Sequence, residues 1–243
     1  MKKFLIILLS VGILGYLIFA AVQSQKTMQE TVCNGFEVVI KDSVELEFIN
    51  PDDVVRYVKN KGLYPVGKTF GEINTLAIQD SILNNKIVKR VDVFTTPGGS
   101  IVANIYQREP VLRVISNAEG SYYIDSNRER MPISFNSVVY LPLATGAVTE
   151  DFAQNELYDF AEFLNSNPEW DAWIEQIVVK KGNKIELVPR AGDFRIVLGS
   201  LDNYHEKLNK FELFAKKGLD VVGWNRYSAI NLEYENQVVC TRK

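Results

Sequence analysis

From Phe4 to Val22 the chain runs 19 residues without a charge; beyond it, apolar positions recur in two rhythms. A spacing of two marks strands, and a spacing of three and four marks helices. The first rhythm governs 36–49, with a turn near Asp42-Ser43, and 86–96, where Val91 and Val93 alternate with Arg90 and Asp92. It returns from Ser100, in Ile101, Ala103 and Ile105, and at the C terminus in Ile230, Leu232 and Tyr234. The second rhythm predicts a helix after Asn50, where Pro51, Asp52 and Asp53 are good first-turn residues and Gly62 a stop. It predicts further helices over 74–84, over 151–165 (Phe152, Leu157, Phe160, Leu164) and over 202–217, ended by Gly218. Strands are expected at 121–125, 138–146, 173–180, 184–189 and 194–198. A last strand, Val238–Arg242, follows a turn at Glu235-Asn236-Gln237.

Pro97-Gly98-Gly99 is a hairpin signal between two strand patterns, so the first part reads β-α-α-β-β. The strand after it runs through Arg108, Glu109 and Pro110 into another strand pattern at Val111. Proline has no N–H to give a ladder, so it is tolerated where strand partners change. That places a seam between two units at 108–110. The second unit reads as a mainly antiparallel sheet with helices on one side, and the whole as an α+β chain.

The charge-free run is about as long as a bilayer core is thick. Lys2 and Lys3 before it favour a cytoplasmic N terminus, with the body on the outer side. The expected order is a stub (1–3), a single transmembrane helix (4–22), a stalk (23–34), a first domain (35–109) and a β domain (110–243). A cleavable signal peptide is the alternative, but its apolar region is normally shorter and ends in small residues, which Ala20-Ala21-Val22 fits poorly. The whole chain carries a net charge of −3 and the part after residue 22 one of −5, without basic clusters, so nucleic acid is not an expected partner. An outer location permits a disulfide, but Cys33 and Cys240 alone do not specify one.

Catalytic equipment is sparse. His205, the one histidine, sits beside Glu206 and Lys207 and reads as a surface residue. A zinc site would have to lean on carboxylates. No Gly-x-Ser-x-Gly elbow occurs, and Pro97-Gly98-Gly99-Ser100 lacks the Lys-Ser/Thr of a phosphate loop. Asp52/Asp53 and Glu150/Asp151 suit helix N-termini. Glu233 and Glu235, two apart on a predicted strand, would share a face and could serve a hydrolase; a solvated face is the plainer reading. Trp170 and Trp173 read as packing at a helix–strand junction, with a sugar platform as the alternative. No catalysis and no cofactor are expected; the sequence reads as a protein that binds proteins.

In order along the chain, "QREPV" (107–111), "YYIDSNRERMP" (122–132), "LPLATG" (141–146), "IELVPR" (185–190), "IVLG" (196–199) and "NLEYENQVV" (231–239) resemble the bacterial cell-division family FtsQ/DivIB. Gln107 replaces that family's first Glu, and Arg128 stands where its turn has glycine, which would leave Asn127 to take the left-handed position. The resemblance implies that 35–109 is a POTRA domain involved in recruitment. It implies a septal scaffold of the cell inner membrane, with the body in the periplasm, that binds FtsB- and FtsL-like proteins through its terminal strands. The residues it points to are Tyr234, Asn236, Val238, Val239, Cys240, Thr241 and Arg242. Physically, a last strand with no successor leaves outer N–H and C=O groups for a partner strand, with Arg242 and Lys243 discouraging self-pairing. Glu233 stands where some relatives have a basic residue, so a salt bridge made there would be reversed or absent. The rival is a POTRA-bearing envelope-assembly or translocation factor that binds extended peptides, although 111–243 lacks the alternation of a membrane barrel.

Overall fold

The computed structural model describes residues 9, 11–19, 29–41, 48–134, 136 and 139–243. They fall into two compact units, Met1–Gln107 and Arg108–Lys243.

In the first unit the order is β1 (Gly35–Ile40), α1 (Pro51–Asn60), α2 (Thr75–Leu83), β2 (Val88–Thr95) and β3 (Ser100–Gln107). The sheet order is β1-β3-β2, with β1 parallel and β2 antiparallel to β3. Asn50 Oδ1 accepts from Asp52 N (2.9 Å) and Asn74 Oδ1 from Ala77 N (2.9 Å), so both helices start on side-chain caps. Ile101, Ala103 and Ile105 alternate into the core, where Val54, Val58, Ile78 and Ile82 of the helices are also buried. Gln107 continues that inward face, its side-chain oxygen accepting from Ile49 N (3.0 Å). Residues 29–34 are laced to the 67–71 loop, with Cys33 N donating to Lys68 O and Gly71 N to Gln29 O (both 2.9 Å). Of the predicted strand over 36–49, Gly35–Ile40 is β-structure, and 42–47 lie outside the described residues.

The second unit holds a nine-stranded sheet. Its strands are β4 (Pro110–Ser116), β5 (Gly120–Asp125), β6 (Arg130–Met131), β7 (Leu143–Gly146), β8 (Ile174–Lys180), β9 (Lys184–Pro189), β10 (Arg195–Gly199), β11 (Tyr227–Asn231) and β12 (Val239–Arg242). They lie in the order β12-β11-β10-β9-β8-β7-β4-β5-β6. Five of the eight neighbouring pairs are antiparallel, but the sheet is mixed: β4–β7, β7–β8 and β10–β11 pair in parallel. Parallel neighbours need a crossover, and helices supply two of them. Helices α3 (Glu150–Gln154), α4 (Glu156–Ser166) and α5 (Pro168–Trp173) join β7 to β8, and α6 (Tyr204–Phe214) leads from β10 toward β11. Their apolar faces (Phe152, Leu157, Phe160, Leu164, Leu208, Phe211) pack on Leu112, Val114, Ile177, Leu187, Ile196 and Ile230.

Four local expectations change. The predicted 151–165 helix breaks at Asn155, whose Nδ2 donates to Asp151 O (2.8 Å), a side-chain bond that competes with the helical one. Of the 138–146 strand, only Leu143–Gly146 pairs, and 138 lies outside the described residues. Gly218 does not stop its helix. The chain widens into a π-turn over Ala215–Leu219, and Gly223 (φ 95°) ends it, a conformation that favours glycine. The left-handed residue after Asp125 is Arg128 (φ 63°), not Asn127. Arg128 N donates to Asp125 O (2.8 Å) and Asp125 N to Glu129 O (3.0 Å), so the three-residue loop puts its left-handed bulge position at 128.

Among the described residues no helix is long and apolar enough to cross a membrane. Leu9 and Val11–Phe19 are helical, with large apolar side chains 53–69% exposed. The rest of 4–22, the stub, and 23–28 of the predicted stalk lie outside the described residues.

Tyr122 is fully buried, with Arg130 over its ring and its hydroxyl donating to Glu119 Oε2 (3.4 Å). Burial first, then the Glu119 charge, pushes its pKa up to about 12, against about 10 for a free phenol. The fold thus favours the neutral form, and the stability this gives is complete below pH 10 and lost as pH rises toward 12. Urea midpoints between pH 8 and 11.5 are expected to fall more steeply for the native chain than for Tyr122→Phe.

Candidate functional site, an open sheet edge at the C terminus

β12 is the last strand of the larger sheet, and β11 is its one neighbour among the described residues. The register sets Asn231 opposite Val239, Ile230 opposite Cys240, Ala229 opposite Thr241 and Tyr227 opposite Arg242, with a bulge on the β11 side near Ser228. Which backbone groups remain open follows from parity. Leu232 N donates to Val197 O (2.9 Å), so Leu232 and Ile230 turn their backbone groups to β10. Ala229 and Asn231 therefore face β12, where they meet Thr241 and Val239. Lys243 N, reaching Arg226 O (3.4 Å), continues the same parity. The N–H and C=O of Cys240 and the N–H of Arg242 point the other way, toward no strand of the described chain, while Arg242 O accepts from the Ser228 hydroxyl of β11 (3.4 Å).

The side chains of the edge divide between two faces. Val238 and Cys240 are half-buried against the core, while Val239, Thr241 and Arg242 are exposed. Burial pushes the Cys240 thiol pKa up, so it stays protonated at neutral pH. Cys33 and Cys240 are both free thiols. Tyr234, half exposed, and Asn236 lie in the connection between β11 and β12, outside the ladder.

That connection is organised by a residue the sequence did not flag. Lys210 on α6 donates to Leu232 O and Glu235 O (both 3.2 Å) and to Tyr234 O. One ammonium thus gathers three carbonyls, more than 20 residues along the chain, a separation no local pattern encodes. Lys243 at the chain end pairs with Asp193 (2.8 Å), holding the Asp193 carboxyl below its usual range. Lys210→Met is expected to lower stability by about 1 kcal/mol and to speed amide exchange across 232–238, read by mass spectrometry.

The catalytic alternative from Glu233 and Glu235 loses its premise. β11 ends at Asn231, so the two carboxylates do not alternate on a strand. Glu233 instead lies over Gly199, where a Cβ would come within 2.4 Å of its Cγ, and pairs with Lys184 (3.3 Å). His205 is exposed and packs edge-on to Phe163. Among the described residues no three His, Cys, Asp or Glu side chains could hold a metal ion.

The junction residues sit near the other end of this sheet, where Arg108 and Glu109 lead into β4 beside β5. Arg108 is a buried clasp: its Nε donates to Asp125 Oδ2 (2.8 Å), and its two other nitrogens reach Arg130 O and Glu129 O (both 3.2 Å). Asp125, fully buried, also accepts from Asn127 N (3.0 Å) and Glu129 N (2.8 Å). Glu109 is exposed and its carbonyl accepts from Ser126 N (2.8 Å); Pro110 opens β4, where a missing donor is tolerated. The arginine of "QREPV" and the aspartate of "YYID" thus form one contact.

Comparison with protein families gives two matches. The family described as "FtsQ/DivIB, C-terminal related" matches residues 109–241, more than half of the chain, and a "POTRA-like domain" matches 31–106. Among curated proteins none matches.

Proposed function

The chain belongs to the FtsQ/DivIB family, and on that premise we propose that it is a non-enzymatic scaffold of cell division, which holds FtsB- and FtsL-like proteins by strand addition at β12. The observation that carries this reading is a sheet edge along which the N–H and C=O of Cys240 and the N–H of Arg242 face outward. A strand laid beside β12 would engage two N–H groups and the Cys240 C=O, each bond worth about 0.5–1.5 kcal/mol net. Val239 and Thr241 on one face, and Tyr234 and Asn236 at the entrance, would meet its side chains. Burying two exposed aliphatic or methyl-bearing groups favours a partner strand with apolar residues on that face.

The first unit, with its POTRA-like domain, is assigned recruitment to the division site. The apolar helical stretch at Leu9 and Val11–Phe19, which no described part of the chain covers, supports an inner-membrane anchor. With that anchor the N terminus is cytoplasmic and the body periplasmic. A fluorescent fusion in dividing cells is expected to form a band at the septum. Even labelling of the envelope would instead favour a general assembly factor that binds extended peptides through the POTRA unit.

A further inference from the structure

The helical side of the second unit holds a feature that strand addition does not use. α5 and the end of α6 enclose a cavity of about 170 Å³, lined by Glu169, Trp170, Trp173, Glu212 and Lys216. It opens where α6 passes into the π-turn, a distortion that in other proteins often accompanies binding sites. Gly218 makes that turn possible, since a Cβ there would come within 2.9 Å of the Phe214 ring. The indoles are held by their neighbours: Trp173 is 5.6 Å from Phe211 and 5.4 Å from Trp224, at interplanar angles of 87° and 62°. Trp170 and Trp173 stand 6.2 Å apart and 61° to each other, a concave corner rather than the flat platform a sugar ring stacks on.

Charge selects the ligand. Lys216 at the mouth pairs with Glu212, which leaves the Glu169 carboxylate without an ion-pair partner among the described residues. An aromatic corner lined by two carboxylates and one ammonium keeps a net negative charge and attracts a cation, through the ring faces and the Glu169 carboxylate together. We propose that this cavity receives an arginine side chain of a partner polypeptide, with the guanidinium against the Trp170–Trp173 corner and directed at Glu169. A planar cation on an apolar stem matches both the volume and the mixed lining. The site is separate from the β12 edge and its residues belong to other elements, so the two fail or hold independently.

The chain reports on this site by itself, because its three tryptophans, Trp170, Trp173 and Trp224, all lie in this cluster. Tryptophan emission of the full chain is titrated with N-acetyl-arginine amide, its neutral analogue N-acetyl-citrulline amide, and N-acetylglucosamine. A saturable change with a millimolar Kd is expected for the arginine probe. Citrulline should bind at least tenfold more weakly. Glu169→Gln should weaken arginine binding at least fivefold while leaving the urea midpoint unchanged. Equal response to arginine and citrulline, binding of the sugar but not arginine, or no effect of Glu169→Gln would each overturn the assignment. Trp170→Leu, which removes one wall but keeps the charge, is expected to weaken binding as well, and unchanged affinity there counts against the site.

Discussion

Asp125→Ala is expected to destabilise the C-terminal unit by about 3–5 kcal/mol, a large part of the 5–15 kcal/mol that holds a typical domain together. The substitution leaves the buried Arg108 guanidinium with only the exposed Glu129 carboxylate (3.4 Å) as counter-charge and releases the amides of Asn127 and Glu129 that close the β5–β6 turn. Arg108→Met removes the other half. The carboxylate then keeps two backbone donors, so the loss should be smaller, near 2–3 kcal/mol. The double variant should cost less than the two singles together, because neither orphaned group remains. Urea unfolding of all four chains, followed by far-UV circular dichroism, checks both size and order. Additive losses would mean that the pair does not act as a clasp.

Cys240→Pro is expected to weaken partner capture at least tenfold, about 1.4 kcal/mol, while the unit stays folded. Proline there removes an outward N–H and puts its ring in the path of an arriving strand, and edge strands tolerate proline. Thr241→Pro makes the opposite trade. Its N–H faces Ala229, so the variant breaks the β11–β12 ladder and loses stability first. Co-purification with the partner pair, beside melting curves of both variants, separates the effects. Binding at native strength by a folded Cys240→Pro chain would count against the edge.

How much of this was legible in the sequence follows how local each cause is. The Asn50-Pro51 start, the Pro97-Gly98-Gly99 hairpin and the alternation of Ile101, Ala103 and Ile105 depend on a few neighbouring residues, and each appears where its pattern puts it. Among the described strands, the edge position of the last strand was also readable. Its parity was not, because that depends on the parallel pairing of β10 with β11, which joins residues more than 30 apart. The same holds for the mixed sheet, whose parallel pairs arise from crossovers rather than from any strand's own pattern. Arg108 and Asp125 were both visible inside family-like motifs, yet their contact needs β4 and β5 in register. Lys210 gave no signal at all; a lysine on a helix face is ordinarily solvated.

Amide hydrogen exchange along β12 tests the open edge most directly. In the free chain Val239 and Thr241, bonded to β11, should exchange slowly, while Cys240 and Arg242 exchange quickly. Adding the partner pair should slow Cys240 and Arg242 and leave the other two nearly unchanged. Slow exchange at Cys240 in the free chain, or fast exchange there in a saturated complex, would contradict it.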